Sequence, residues 1–422
     1  MNLIFDDHIK FLKDHNIDLD IKEGTYWLDR QIIKAYDMQG ELHKIARIYT
    51  DDDLSITFKR YKYKSFKMET WQDTIARNKD RLEQLELKSM KLIYDKFLQY
   101  DSHIPIVLTS TGKDSELVRH LVNATIEKYK LSKEPMIIFN NTSMDCAATY
   151  KMAKSIPNCK ILNPKRGFYN MVKEHGTPSR HHRWCCSIFK EGSTKDYLDA
   201  NEKYLFFYGM RNQESSTRAD YQDERYDNGW GTRDWMGILP IREWSEEEVW
   251  LYTLWRNIKI NPKYKQGYAR VGCAVACPFY VKSTWALDKY WYPKAYARWH
   301  KILEDDFTKG HKWTRLNCTL KEYHSCWNGG LKRPEPTQEV IKEFAEYKGI
   351  DLEVAANYFN HTCEVCGKKV NKKDEIAMNL KFRGRETEKL FCKKHFMEYF
   401  NMEADMWDYY IQSFKDSGCS LF

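Results

Sequence analysis

Apolar positions follow two different rhythms along this chain. Between residues 25 and 63 they alternate with polar ones. TYWLDRQIIKAY, a turn at Asp37-Met38-Gln39-Gly40, ELHKIARIYT and LSITFKRYKYK are rich in β-branched and aromatic residues, which predicts strands. From about Ser65 to Tyr100 the period lengthens. Trp71, Ile75, Leu82, Leu85, Ile93 and Phe97 are spaced 4, 7, 3, 8 and 4 apart and share one face of a helix. Short, wholly apolar runs then take over: IPIVLTS (Ile104–Ser110), PMIIFNN (Pro135–Asn141), Cys159–Leu162 and YLFFYG (Tyr204–Gly209). Helical stretches at about Lys113–Tyr129 and Asp145–Ser155 separate them. Apolar strands alternating with helices predict an α/β fold, a parallel sheet with helices on both faces. Ligands bind such sheets beyond the carboxyl ends of the strands. Ser110–Ser115, Asn140–Thr142 and Gly209–Arg211 are therefore expected at one crevice. After Trp285 the chain turns helical and aromatic-rich, and Leu331–Val340, with two prolines, is expected to be a linker.

Composition narrows the class. With 422 residues, 42% hydrophobic and 30% charged, the chain can bury more than one core. The mean hydropathy is −0.72, and no apolar run approaches the ~20 residues of a bilayer span. The opening stretch MNLIFDDHIKFLKDH mixes acids and bases without an apolar centre. A cytoplasmic protein with no membrane partner is expected. The net charge of +8 is compatible with a polyanionic partner. Twelve cysteines without an export signal point to metal or redox chemistry rather than to disulfides.

Ser110-Thr111-Gly112-Lys113-Asp114-Ser115 joins a strand to a helix, where anion chemistry wants it. Unpaired amides at the helix start and about half a unit of dipole charge attract an anion. Gly112 permits close approach of backbone to phosphate. Lys113 adds a full charge, Ser110 and Ser115 add hydroxyls, and Asp114 could orient Mg²⁺ or pair with Lys113. The spacing is not that of a Walker A loop.

This hexapeptide resembles the S-x-G-K-D-S loop of the adenine-nucleotide α-hydrolase (PP-loop, ATP pyrophosphatase) superfamily, and further stretches resemble its phosphoadenosine phosphosulfate (PAPS) reductase-like members. They are FNNTSMD (Phe139–Asp145), RHHRWCCSIFK (Arg180–Lys190), GMRNQESSTRADY (Gly209–Tyr221), LPIREWSEEEVW (Leu239–Trp250) and NPKYKQGYARVGCAVACPF (Asn261–Phe279). Two departures bear on function. The pair Cys273–Cys277 has three intervening residues where the family usually has two. The loop carries Lys113-Asp114, which dedicated PAPS reductases lack, while Gly418-Cys419-Ser420 replaces their E-C-G-x-H motif. The resemblance thus implies use of ATP with Mg²⁺ more than sulfonucleotide reduction. It implies nucleotide binding by Ser110, Thr111, Gly112, Lys113, Asp114, Ser115, Asn141, Thr142, Arg211, Glu214 and Arg218. Lys113, Asp114 and Arg211 are the expected catalytic groups. Arginine suits this role because its guanidinium clamps oxyanions bidentately.

The cysteines form two sets. Cys185, Cys186, Cys273 and Cys277, with Cys318 and Cys326 in reserve, are candidate ligands of a 4Fe-4S cluster. Cys363-x-x-Cys366 and Cys392-x-x-His395, 25 residues apart, have the spacing of structural zinc, which is expected to fold a small unit without a core of its own. From Cys363 to His395 ten Lys/Arg face five Asp/Glu, so nucleic acid is a candidate partner there.

The expected organisation is 1–100, an N-terminal β-rich segment and helix; 101–290, the PAPS reductase-like nucleotide-binding domain; 291–340, a helical extension and linker; and 341–422, the zinc-binding unit. The expected activity is ATP cleavage by adenylation coupled to sulfur transfer, with a nucleic-acid acceptor and a sulfur donor protein. Two alternatives stand beside it. One is reduction of PAPS or adenosine phosphosulfate to sulfite with Cys419 as nucleophile. The other is a nucleotide-binding regulatory protein acting with a DNA-bound partner.

Overall fold

The alternating N-terminal stretch supplies four strands, β2 (Tyr26–Asp29), β3 (Ile32–Tyr36), β4 (Leu42–Thr50) and β5 (Ile56–Arg60), of a five-stranded antiparallel sheet that β1 (Asn2–Leu3) completes, ordered as in sequence. The computed structural model of the chain describes all residues except 18–23, 181–182, 215, 227–234, 311, 328–334, 385–386, 388, 417–418 and 420, and all side chains of the rest except 216, 217 and 326. The stretch expected as one strand from Thr25 to Tyr36 is two, because Arg30 takes a left-handed turn at φ 57° and folds β3 back on β2. The turn before β4 has Gly40 at φ 81°. A helix that hydrophobic spacing did not flag, α1 (Asp6–Asp14), buries His8, Ile9, Phe11 and Leu12. The long helix α2 runs Trp71–Gln99 and starts later than expected. Thr70 caps it, accepting from the Asp73 amide while Asp73 accepts from the Thr70 amide.

The second sheet has six strands in the order β10-β11-β9-β6-β7-β8. β6 (Ile104–Leu108), β7 (Met136–Asn140), β8 (Cys159–Leu162) and β9 (Tyr204–Phe207) are the expected apolar strands, and all four run parallel. β11 (Trp235–Ile238) adds a fifth parallel strand and β10 (Glu224–Tyr226) an antiparallel edge. Neither stands out as an apolar run, since β11 (WMGI) contains a glycine and β10 (ERY) is mostly polar. Helices α3 (Lys113–Tyr129) and α4 (Ala147–Lys154) connect the strands. The chain moves from β6 to β7 and β8 on one side, then returns to place β9 on the other side of β6. The order therefore reverses between β6 and β9, which is where open α/β sheets bind ligands.

Two compact units result. One comprises Met1–Phe168, Cys186–Ala274 and Ser283–Tyr292; the other comprises Tyr169–Cys185, Val275–Lys282 and Pro293–Phe422. In the first, Leu82, Leu85 and Ile93 of α2 share one core with Val107 of β6, Leu117 and Leu121 of α3, and Trp250. The N-terminal segment and the parallel sheet are thus packed into one another. The second unit is helical, with helices Pro293–Lys309, Gln338–Lys348, Leu352–Phe359, Lys373–Phe382, Lys393–Tyr399 and Ala404–Asp416 among its elements. Part of the expected linker, 331–334, lies outside the described residues. No helix among the described residues is long and apolar enough to cross a membrane.

Leu82 is fully buried in the shared core. Leu82→Ala is expected to cost about 2–5 kcal/mol in urea unfolding. A loss under about 1 kcal/mol would contradict the shared packing.

Candidate functional site

The loop from Thr109 to Ser115 is held from beneath, so its upper surface stays available. Thr111 is buried at φ 56°, an uncommon conformation for a β-branched residue. Its amide donates to Thr109 Oγ1 at 2.9 Å, and its hydroxyl accepts from Asn261 Nδ2 at 2.7 Å. Asn261 also caps the short helix Pro262–Lys265, which positions Tyr264. The Lys113 amide donates to the Tyr264 hydroxyl at 3.0 Å. Thr109 Oγ1 donates to Glu116 at 2.7 Å, and Arg119 compensates that buried carboxylate. Ser115 Oγ accepts from the Ser110 amide at 3.2 Å and donates to the Gly112 carbonyl. Among the described residues, the amides of Gly112, Asp114 and Ser115 make no hydrogen bond. These are donors that an anion at the start of α3 would satisfy.

Charge at the loop is tightly paired. Asp114 Oδ1 accepts from Arg211 Nε at 2.6 Å, and Asp114 Oδ2 accepts from Lys113 Nζ at 3.1 Å. Lys113 also lies 3.3 Å from Glu246. Burial works against the Lys113 ammonium, but Tyr264, Asp114 and Glu246 outweigh it and hold its pKa above the ordinary lysine range. Burial would likewise raise Glu246, yet the Lys113 charge leads the effects that bring it below its usual value. Of the two roles open to Asp114, the structure has it paired with Lys113. Arg211, on the loop after β9, ties that loop to the one after β6. Gly209 makes this approach possible, since a Cβ there would sit 2.8 Å from the Asp114 carbonyl carbon and 3.0 Å from the Ser115 nitrogen.

Above these pairs lies a cleft of about 350 Å³. Ser110, Gly112, Asp114, Ser115, Thr142, Glu214 and Arg218 line it, so the structure brings most of the expected residues together. Arg218 pairs with Glu214. Lys113, Arg211 and Thr111 support the floor from below rather than forming the lining, and Asn141 donates to Asn163 on the exposed side. The cleft also includes Asn140, Asp145, Lys190, Tyr264 and Arg270. Asp145 accepts from the Thr142 amide and hydroxyl at 2.8 and 2.9 Å, and burial raises its pKa. Sequence reasoning had not assigned Tyr264, Glu246, Asp145, Lys190 or Arg270. Tyr264 and Glu246 do sit inside quoted motifs, each within three residues of a helix start marked by Asn261-Pro262 or Ser245.

The metal-type residues divide into two outcomes. Cys363, Cys366, Cys392 and His395 converge, with all four donor atoms within 4.8 Å of one another. Cys363 Sγ and Cys392 Sγ each lie 3.3 Å from His395 Nδ1, and Cys366 Sγ lies 4.0 Å from Cys392 Sγ. Four donors at such separations suit a tetrahedral ion, for which Zn–S bonds of ~2.3 Å give ligand spacings of roughly 3.8 Å. A knuckle turn at Gly367 (φ 66°) presents the first pair and the helix start at Cys392 presents the second. Contrary to expectation the unit has a core: Val370, Met378 and Phe396 are fully buried, with Leu390, Phe391 and Trp407 around them. The aromatic helix Ala404–Asp416 supplies that cover.

The other cysteines are shared between the units. Cys186 and Cys273 belong to the first, and Cys185, Cys277 and Cys318 to the second. Within each unit, among the described residues, the only donor sets of three or more are the Cys363 set and Asp37–Glu41–His43. The Cys273 thiol faces the Thr142 hydroxyl at 3.7 Å. The Cys326 side chain, His181 and His182 lie outside what is described.

The fold is an α/β domain whose cleft lies where the strand order reverses. Residues 104–278 match the sequence model of the phosphoadenosine phosphosulfate reductase domain, so that stretch of the chain is similar to PAPS reductase-like proteins. It is 28% identical over 272 residues to an uncharacterised protein of Methanocaldococcus jannaschii, a match covering 61% of this chain and 64% of that one, less than two thirds of the relative. It is 25% identical over 218 residues to adenosine 5′-phosphosulfate reductase of Bacillus cereus, covering 49% of this chain and 85% of the enzyme. A PAPS reductase from Candida auris, solved as a phosphate complex, aligns at 14% identity and TM-score 0.33 over 46% of this chain and 94% of that one.

Two measurements follow. Gly209→Ala is expected to weaken adenine-nucleotide binding at least about tenfold in calorimetry while the fold persists, because the new methyl displaces the start of α3. Unchanged affinity would contradict the packing. Cys392→Ser is expected to lose bound metal in elemental analysis and to lower the melting temperature of the protein. A metal-free protein with unaltered melting would contradict the four-donor site.

Proposed function

We propose that this protein is an adenine-nucleotide enzyme that binds ATP in the Ser110–Ser115 cleft and forms an adenylated acceptor for sulfur transfer. The observation that carries the reading is the cradle itself, unpaired amides at a helix start beside Asp114, which two buried cations, Lys113 and Arg211, hold in place. In the proposed reaction an acceptor oxygen attacks the α-phosphorus of ATP and pyrophosphate leaves. A sulfide-level nucleophile from a donor protein then attacks the activated centre, and AMP leaves with that oxygen. No external oxidant or reductant enters. Catalysis of the first step is mostly positioning and neutralisation of charge. The amides of Gly112, Asp114 and Ser115 would hold phosphate oxygens, Arg218 and Arg270 would face the negative charge from the cleft wall, and Lys113 would offset the Asp114 and Glu246 carboxylates so that the floor does not repel phosphate. Mg²⁺, when bound with ATP, would neutralise the phosphate tail.

The four-donor site suits structural Zn²⁺, closed by three thiolates and one imidazole with no position left for a substrate. An iron–sulfur role for Cys185, Cys186, Cys273 and Cys277 rests on family resemblance, and no step is drawn through it.

Similarity to enzymes named adenosine 5′-phosphosulfate reductase favours sulfonucleotide reduction as the second reading. One turnover screen separates the readings. With ATP, PAPS and adenosine phosphosulfate offered singly, the proposal expects AMP and pyrophosphate from ATP with water in place of the acceptor oxygen, reduced at least about a hundredfold in Lys113→Ala. Sulfite from a sulfonucleotide, lost in Cys419→Ser, would replace it with the reductase reading. Tight nucleotide binding without either product would leave a regulatory protein.

A further inference from the structure

Between Ile56 and Met68 the sequence holds five Lys/Arg, four aromatic residues and no acid: ITFKRYKYKSFKM. The structure puts this stretch at the free edge of the N-terminal sheet, as β5 and the segment that follows it. Lys59 pairs directly across from Arg47 of β4, and Thr57 from Tyr49, so these four side chains share one face. All four are exposed. Like charges placed opposite one another across two strands are destabilising. Here no acid lies between them. Lys44, Arg47, Lys59, Lys62 and Lys64 form no ion pair among the described residues. Aromatic rings sit among the cations, with Tyr49 38% and Tyr63 42% exposed and Arg47 stacked 5.4 Å from the Tyr49 ring centre. Acids flank the strip, with Asp51, Asp52 and Asp53 in the β4–β5 turn and Asp37 and Glu41 in the preceding turn.

The basic metal-binding unit offers a weaker surface. Lys369, Arg383, Lys389, Lys393 and Lys394 there are already paired with Glu335, Glu364, Glu364, Asp408 and Glu398.

We infer that the outer face of β4–β5 and the segment Tyr61–Lys67 bind single-stranded nucleic acid. Phosphates would relieve the Arg47–Lys59 repulsion, and unpaired bases would stack on Tyr49 and Tyr63. Tracks of cations with interleaved aromatic faces bind single strands in this manner, whereas a duplex keeps its base faces stacked internally. The inference deepens the proposed function by identifying the acceptor's class, and rests on that reading only for the acceptor role. Binding itself requires no ATP.

The test is fluorescence anisotropy with a labelled 20-nucleotide single strand, as DNA and as RNA, without nucleotide and across a salt series. Wild-type affinity is expected to fall steeply with salt. Lys59→Glu/Lys62→Glu/Lys64→Glu should weaken it at least about tenfold and flatten the log–log salt slope by about 2. Tyr63→Ala, a milder change, should weaken it about five- to hundredfold with the salt slope kept. Pyrophosphate release from ATP with water standing in for the acceptor oxygen should be unchanged in both, and Lys113→Ala should still bind the strand. Absent binding, unchanged affinity in both variants, or equal affinity for duplex or for anionic phospholipid vesicles would overturn the inference. So would loss of binding only in Lys372→Glu/Lys373→Glu. Strand binding without any ATP turnover would instead retain this surface and sink the adenylation reading.

Discussion

Asp114 is the hinge of the arrangement. Its two carboxylate oxygens are divided between Lys113 beside it in sequence and Arg211 from the loop after β9. The strands carrying these loops are neighbours that the chain reaches from opposite directions, so the pairing closes the one place where the sheet's order reverses. Buried ions must be paired, and breaking such a pair costs far more than forming it gains. The network therefore acts less as a source of stability than as a device that admits one relative position of the two loops. Gly209 lets the backbones meet at that position, and Thr111 accepts an uncommon backbone conformation to keep the loop turned upward.

The consequence is a division of labour within a few ångströms. Lys113 and Arg211, expected as direct contacts, lie beneath the cleft and set its charge, while Arg218, Lys190 and Arg270 line it. Tyr264 and Glu246 complete the floor from elements more than 130 residues away in sequence. A phosphate tail arriving at the start of α3 would meet donors that need no rearrangement, which is what preorganised charge stabilisation requires.

Much of this was readable before any coordinates. The parallel strands announced themselves because strands buried on both faces must be apolar throughout, and the crevice followed from where such strands end. β10 escaped because Glu-Arg-Tyr is mostly polar, and β11 because Gly237 interrupts its short apolar run. Arg30 hid a turn because nothing in its side chain marks a left-handed backbone. The Cys363–His395 knuckles stood out because soft ligands at fixed spacing have few other uses, whereas the core covering them depends on an aromatic helix outside the motif. Tyr264 and Glu246 could be noticed only as motif members, since spacing does not reveal which side chain reaches a distant loop. The cationic edge of the N-terminal sheet needed the strand register, which set Arg47 against Lys59.

The central claim is that the start of α3 grips a polyphosphate. Calorimetric titration of the intact protein with adenosine, AMP and ATP, each with Mg²⁺, tests it most directly. The account predicts affinity rising with the phosphate tail, with ATP at least about tenfold tighter than AMP and adenosine weakest. Equal affinity for all three would place recognition on the nucleoside and contradict the account.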